Sequence, residues 1–169
     1  MDKEYISSRL VLALAEPQYD EAPDKFAQKI LQVLEPTTCG ALPQSWQNIK
    51  TLADVHHWLR TQLNDAQLFT VTHCHNRALL GLAVVHEQGD EAYVGYVIAK
   101  QYWGRGFGSE ALKALVAQYK EQNSITTLWA GVEKDNISSI KVLTKSGFSL
   151  SEGGHRDSNT LHYRLLLSN

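Results

Sequence analysis

Three glycines at alternate positions, Gly104, Gly106 and Gly108, separate a strand-like run from a helix-like run, and no other stretch restricts the architecture as much. Glycine loses more conformational freedom on folding than other residues, so this density implies backbone that bends unusually or is approached closely. The preceding run, AYVGYVIA at 92–99, is rich in β-formers. The following run carries Leu112, Leu115, Val116 and Tyr119 at helical spacing, to about Glu121. Strand, glycine turn and helix N-terminus make an anion site, because the first helical N–H groups lack intrahelical partners and the dipole favours negative charge there. Taken alone, the run also fits a tight strand-to-helix connection that binds nothing. Two familiar phosphate loops are excluded. A Walker A loop requires Gly-Lys-Ser/Thr, and no lysine lies here. The dinucleotide fingerprint is GxGxxG in an early βαβ unit, whereas this pattern is GxGxG followed by Ser109, after an antiparallel meander.

The rest of the chain predicts the order β-α-α-β-β-β-α-β-α-β-β. Residues 5–15 read as a first strand. Residues 18–34 carry Phe26, Ile30, Val33 and Leu34 at helical spacing, with Pro23 in or near the first turn. Residues 35–50, with Pro36, Gly40 and Pro43, read as a loop. Thr51 and Asp54 resemble a capping box for a helix whose apolar side holds Leu52, Val55, Leu59 and Leu63. From Leu68 the period becomes two, and LFTVTHCH and ALLGLAVVHE flank a hairpin turn at Asn76-Arg77. Residues 125–132 form another strand. Asn136 caps a helix running to Ser146 that Gly147 closes, and FSLSEG and NTLHYRLLL finish as a hairpin.

At 169 residues and 43% hydrophobic, the chain reads as one globular domain over 1–169. A net charge of −2 without a basic run gives no global attraction to nucleic acid or anionic membrane. Cys39 and Cys74 make no CxxC pair, which predicts a reducing compartment. The apolar run at 10–15 is too short to span a bilayer and has no signal-peptide flanks, so the expected location is cytoplasmic.

Other clusters carry less. In HCH, on a strand, His73 and His75 share one face and Cys74 points to the other, so no metal site is expected. His56 and His57 diverge on their helix. Trp46 and Trp58 read either as core or as the lip of an acceptor groove. No serine sits in a GxSxG elbow, and Cys74 has no base beside it for covalent catalysis.

The stretches YVIAKQYWGRGFGSEAL and NISSIKVLTKSGF together resemble the GNAT acetyltransferase superfamily. The closer likeness is to the branch of ribosomal-protein N-terminal alanine and serine acetyltransferases. The coenzyme loop, Arg/Gln-x-x-Gly-x-Gly/Ala, matches at Trp103 to Gly108, with Trp103 in the first position. A second motif matches at Asn136, Ser139, Gly147 and Phe148. The resemblance implies a GNAT α/β fold, a mixed and mostly antiparallel twisted sheet of about seven strands with four helices, strands four and five splayed. It further implies acetyl-CoA as co-substrate. The pyrophosphate would rest on the loop at Arg105, Gly106, Phe107, Gly108 and Ser109, and the pantetheine arm on Val97, Ile98 and Ala99, with Asn136 bonding that arm or acting as a plain helix cap.

Acetyl transfer to an amine needs a neutral amine, a donor for the oxyanion and help for the departing thiolate. The superfamily's usual acid, a tyrosine seven residues after the asparagine, is Leu143 here. The resemblance passes that role to Ser139, which also reads as a small residue at a close approach. For the base, Tyr93 occupies the family's expected position, and Glu91, Glu133 and His86 are the candidates, Glu91 foremost. The oxyanion donor is expected to be a backbone N–H around Ile98. The function implied is N-acetyl transfer to a primary amine, chiefly a protein or peptide N-terminus, by a monomer or homodimer. A small-molecule amine acetyltransferase and a coenzyme-A-binding regulatory module are the alternatives.

Overall fold

The computed structural model describes residues 4–152 and 159–167. Its centre is an eight-stranded sheet of order β1-β2-β3-β4-β5-β6-β8-β7. The strands are β1 Glu4–Ile6, β2 Leu10–Leu14, β3 Gln67–His73, β4 Leu79–Gln88, β5 Glu91–Ile98, β6 Thr127–Glu133, β7 Ser149–Leu150 and β8 Thr160–Leu166. Every neighbouring pair is antiparallel except β5 and β6. The helices are α1 Ala15–Glu21, α2 Pro23–Val33, α3 Pro36–Cys39, α4 Leu52–Asp65, α5 Phe107–Gln122 and α6 Ile137–Lys145.

Alternation along the strands builds two cores. Ala83, Val85, Val94 and Ile98 pack with Leu112, Leu115 and Tyr119 of α5 on one face. Leu82 and Val97 pack with Ile30 of α2 and Val55 and Leu59 of α4 on the other. The period of two in the strands meets the helical period on both sides, which yields a helix–sheet–helix sandwich.

Several local expectations hold at the atomic level. Thr51 Oγ1 accepts from the Asp54 N–H at 3.1 Å, and Asp54 Oδ2 accepts from the Thr51 N–H at 2.9 Å, so the capping box is complete. The Lys50 and Thr51 donors hold the Asp54 carboxyl below its ordinary range. Gly147 closes α6 at φ 91°, in the left-handed region.

Other expectations need correction. Residues 5–15 are not one strand, because Ser7 Oγ accepts from the Leu10 N–H at 3.1 Å and the chain reverses into the β1–β2 hairpin. Residues 18–34 are two helices, since Ala22 precedes Pro23 and is driven out of the helical region, at φ −148° and ψ 72°. The 35–50 loop contains α3 and a 3₁₀ turn at Gln44–Trp46. Among the described residues the helices number six and the strands eight, near the four and about seven expected, and the sheet is mixed and mostly antiparallel as expected. Strand β3 ends at His73, so Cys74 and His75 lie in the turn rather than on a strand. Their ligand atoms and that of His73 converge to within 4.8 Å, contrary to the divergence expected. Strands β7 and β8 pair antiparallel as expected, and residues 153–158 between them lie outside the described residues.

Gly81 shows how closely β4 and β5 are apposed. A Cβ there would lie 2.0 Å from the Val97 carbonyl oxygen and 2.9 Å from Ile98 Cδ1. Because the nearest atom is backbone, relief requires moving the strand rather than a side chain. Gly81→Ala should destabilise the protein by about 3 kcal/mol, read as a lower midpoint in urea. An unchanged midpoint would mean that β4 and β5 separate freely.

Candidate active site

The parallel ladder between β5 and β6 consists of the pairs Glu91–Thr127, Ala92–Leu128 and Tyr93–Trp129. Beyond it β5 continues to Ile98 while β6 continues in antiparallel register with β8 to the pair Glu133–Thr160. The strands thus splay, these being the fourth and fifth of the expected order because residues 5–15 count there as one strand, and residues 94–98 of β5 face a cleft along that edge.

At the end of β5 the chain turns through Lys100–Tyr102 into the glycine segment. The Trp103 indole N–H donates to the Ile98 carbonyl at 2.6 Å, and the Lys100 N–H donates to Thr38 Oγ1 of α3 at 3.1 Å. Gly104 and Gly106 both take left-handed φ values, 73° and 80°. Gly106 is the N-cap of α5 and supplies no side-chain cap, so the first amides of a 16-residue helix are left to an outside acceptor. Helix α6 behaves differently: Asn136 Oδ1 accepts from the Ser139 N–H at 3.1 Å.

Glu110 locks the start of α5 onto the corner between β1 and β2. Its Oε1 accepts from Ser7 Oγ at 2.6 Å and from the Arg9 N–H at 2.8 Å, while Oε2 accepts from Arg9 Nε at 2.7 Å. Arg9 also donates from Nη1 to the Arg105 carbonyl at 3.1 Å and lies over the Phe107 ring, 4.5 Å from its centroid. One guanidinium therefore fixes both the loop and the helix start. Burial opposes ionisation of Glu110, but the Ser7 and Arg9 donors outweigh it and hold the carboxyl below its usual range.

Two cavities of about 480 Å³ each open along the splay. The inner cleft is lined by Val97, Ile98, Gly106, Phe107, Gly108 and Ser109, with Lys141 and Lys145 of α6 along its wall. The outer groove is lined by Trp46, Asp65, His86, Tyr93 and Glu133 among others. Both cavities are bordered by Ala41, Leu42, Tyr96, Asn136 and Ser139. There the Tyr96 hydroxyl donates to Ser139 Oγ at 3.2 Å. A third hollow, of about 590 Å³, runs along the other side of α5 and touches none of Tyr96, Asn136 and Ser139.

Of the sequence candidates, Val97, Ile98, Gly106, Phe107, Gly108, Ser109, Asn136 and Ser139 all border the inner cleft. Ala99 does not. It is 2% exposed, and its N–H is committed to the Leu80 carbonyl at 2.8 Å. Arg105 is not among the lining residues either, and its carbonyl accepts from Arg9. Glu91 pairs with Gln88 at the remote end of β5, five residues from Tyr96, or about 17 Å along a strand. It borders neither cavity, whereas Glu133 and His86 border the outer groove. The Nδ1 of His86 lies 2.5 Å from the Asp65 carbonyl oxygen. Trp46 and Trp58 pack edge-to-face at 4.8 Å between centroids in the core, and Trp46 also reaches the groove. Tyr96, Lys141 and Lys145 also border the inner cleft, and sequence reasoning does not single them out. Of these only Tyr96 had a signal, as a bulky aromatic between Gly95 and Val97 on the strand that meets the glycine loop.

The fold is that of a structure described as an acetyltransferase of the GNAT family from Bacillus anthracis, with a TM-score of 0.78 at 17% identity over 98% of this chain and 99% of that one. RimL, the ribosomal α-N-protein acetyltransferase solved in complex with coenzyme A, gives 0.75 at 18% identity over 97% and 98%. The model of the acetyltransferase (GNAT) domain family matches residues 9–149, and the chain belongs to that family. An uncharacterised N-acetyltransferase, p20, of Bacillus licheniformis is 31% identical over 86 residues, 51% of this chain and 48% of that protein. The matched part spans about half the length of that curated relative.

The Glu110 anchor has a pH signature. Since the folded value is lowered, its stabilisation is complete above the ordinary glutamate value of about 4.3 and is lost as pH falls through the folded value. Glu110→Gln should be less stable than wild type at pH 7, by a margin that shrinks below about pH 4. Urea midpoints at pH 7 and pH 3.5 measure this. A margin independent of pH would mean that the charge contributes nothing to the anchor.

Proposed function

We propose that the protein transfers the acetyl group of acetyl-CoA to the α-amine at the N-terminus of a protein or peptide. The observation that carries this is the meeting of two cavities at one point, an inner cleft ending in uncapped helical amides and an outer groove open to an acceptor. In this reading the pyrophosphate sits on the amides at the start of α5, where glycine lets an anion reach the backbone. Lys141 and Lys145 add positive charge along the same cleft. The pantetheine arm lies along residues 94–98, with Asn136 beside it, and delivers the thioester to the junction.

The acceptor enters through the outer groove, where Asp65 and Glu133 favour a cationic ammonium group. The amine must then lose a proton before attack. Glu133 and His86 are the groove side chains in position to receive it, and an imidazole donating from Nδ1 to the Asp65 carbonyl presents Nε2 as an acceptor. The amine nitrogen forms the new bond to the acetyl carbon, and the carbon–sulfur pair leaves with the sulfur. Ser139 stands at the junction as the hydrogen-bond donor to that sulfur. The likeness to RimL supports a protein acceptor. An α-amine, with a pKa near ~8, is roughly a tenth neutral at pH 7, and a lysine near ~10.4 is neutral in under ~0.1% of molecules.

Two outcomes are expected. Acetyl-CoA at a hundred times its dissociation constant stabilises a protein by about 2.7 kcal/mol, seen as a rise in melting temperature. Gly106→Val, which forces a branched residue to a φ of 80°, should lose that rise. A wild-type protein whose melting temperature ignores acetyl-CoA would refute the reading. Peptides with a free N-terminus and no lysine should also be acetylated at least about a hundredfold faster than N-blocked peptides carrying one lysine. Free-thiol release measures both, and equal rates would remove the α-amine preference.

A further inference from the structure

We infer that Tyr96 is the positioning residue for Ser139, fixing and polarising the serine hydroxyl so that it donates to the departing coenzyme sulfur. This rests on the acetyl-transfer reading above. Helix α6 carries Leu143, a side chain without a proton to give, one turn beyond Ser139. The structure supplies a phenol to the same place from the opposite wall. Tyr96 projects from β5, borders both cavities, and donates to Ser139 Oγ at 3.2 Å.

A serine hydroxyl has one proton and two lone pairs. Unconstrained, it rotates among acceptors. With Tyr96 donating into one lone pair, the Ser139 proton must point elsewhere, and the Ser139 N–H, already held by Asn136 Oδ1, fixes the backbone from which it points. A hydroxyl that accepts a hydrogen bond is also a stronger donor, because bonds in a chain polarise one another. Burial pushes the Tyr96 phenol above its ordinary value, so it stays protonated and remains a donor across the neutral range.

The glycine loop is shaped to admit this ring. A Cβ on Gly108 would stand 3.1 Å from Tyr96 Cε2, so the ring would have to give by a few tenths of an ångström. Gly108 thus serves two purposes, open amides on the anion side and passage for the phenol on the other.

The proton balance needs neither residue to ionise. A thiol's ordinary pKa of about 8.5 lies far below that of an alcohol, so the thiolate requires a hydrogen bond rather than Ser139's proton. The amine lone pair forms the nitrogen–carbon bond, and the carbon–sulfur electron pair goes to sulfur. The amine's surplus proton leaves through the outer groove. The thiolate is later protonated by solvent, and Ser139 and Tyr96 retain their own protons throughout.

Tyr96→Phe keeps the ring and removes the one donor. We expect kcat to fall about tenfold with acetyl-CoA affinity, read from the melting shift, unchanged. Ser139→Ala should fall at least as far, and Ser139→Thr, which keeps a hydroxyl, should recover part of the loss. The decisive measurement is the double variant Tyr96→Phe/Ser139→Ala, whose kcat should equal that of Ser139→Ala alone, because Tyr96 acts only through Ser139. Multiplying losses, or a Tyr96→Phe enzyme as fast as wild type, would overturn the inference while leaving acetyl transfer standing. Absence of turnover in wild type with every peptide tried would overturn both.

Discussion

Past Tyr93 and Trp129 the two parallel strands part, and the backbone beyond has to be satisfied by something other than a neighbouring strand. Buried N–H and C=O groups are costly to leave unpaired, so an open edge in the middle of a sheet calls for a partner. Residues 94–98 of β5 offer such an edge to an extended polar chain. The flanking features all bear on it: the glycine segment carries the chain from the end of β5 into α5, Asn136 caps α6 at the cleft's margin, and α3 covers the approach through Thr38. Without the splay these would border a continuous sheet, and no cavity would separate α5 from α6.

An open cleft is floppy unless its sides are tied to something rigid. Glu110 provides the tie, joining α5 to residues 7–9 across about a hundred positions of sequence. The bridge is partly sheltered and gathers several donors onto one carboxylate, unlike a lone surface ion pair worth little in water. It also keeps Arg9 over Phe107, so the left-handed glycine turn is braced from outside. Loop precision therefore depends on a strand pair at the far edge of the sheet.

Features settled by neighbours in sequence were legible before the fold was known. The capping box at Thr51 and Asp54, the cap at Asn136, the αL closure at Gly147 and the alternation in β4 and β5 all follow from local chemistry. The glycine loop was legible for the same reason, and eight of the candidate site residues border one cleft. Register and distance are not written in such local patterns. Glu91 shares β5 with the cleft, yet it lies five residues from Tyr96 and borders neither cavity, because a strand advances about 3.3 Å per residue. The HCH motif continues the strand's alternation in sequence, yet a turn begins one residue into it. The position of Tyr96 between Gly95 and Val97 is local, but its contact with Ser139, 43 residues later, is encoded by no local pattern.

The insertion of β8 between β6 and β7 also governs when the molecule becomes itself. On a ribosome, β5, the glycine turn and α5 emerge well before residues 160–166, which hold β6 by its far edge through seven paired positions from Thr127 to Glu133. Without that strand, β6 is held to the rest of the sheet by the three-pair ladder alone. A chain can have every residue of the glycine cradle in place and, without β8 on the far edge of β6, have no fixed gap beside that cradle.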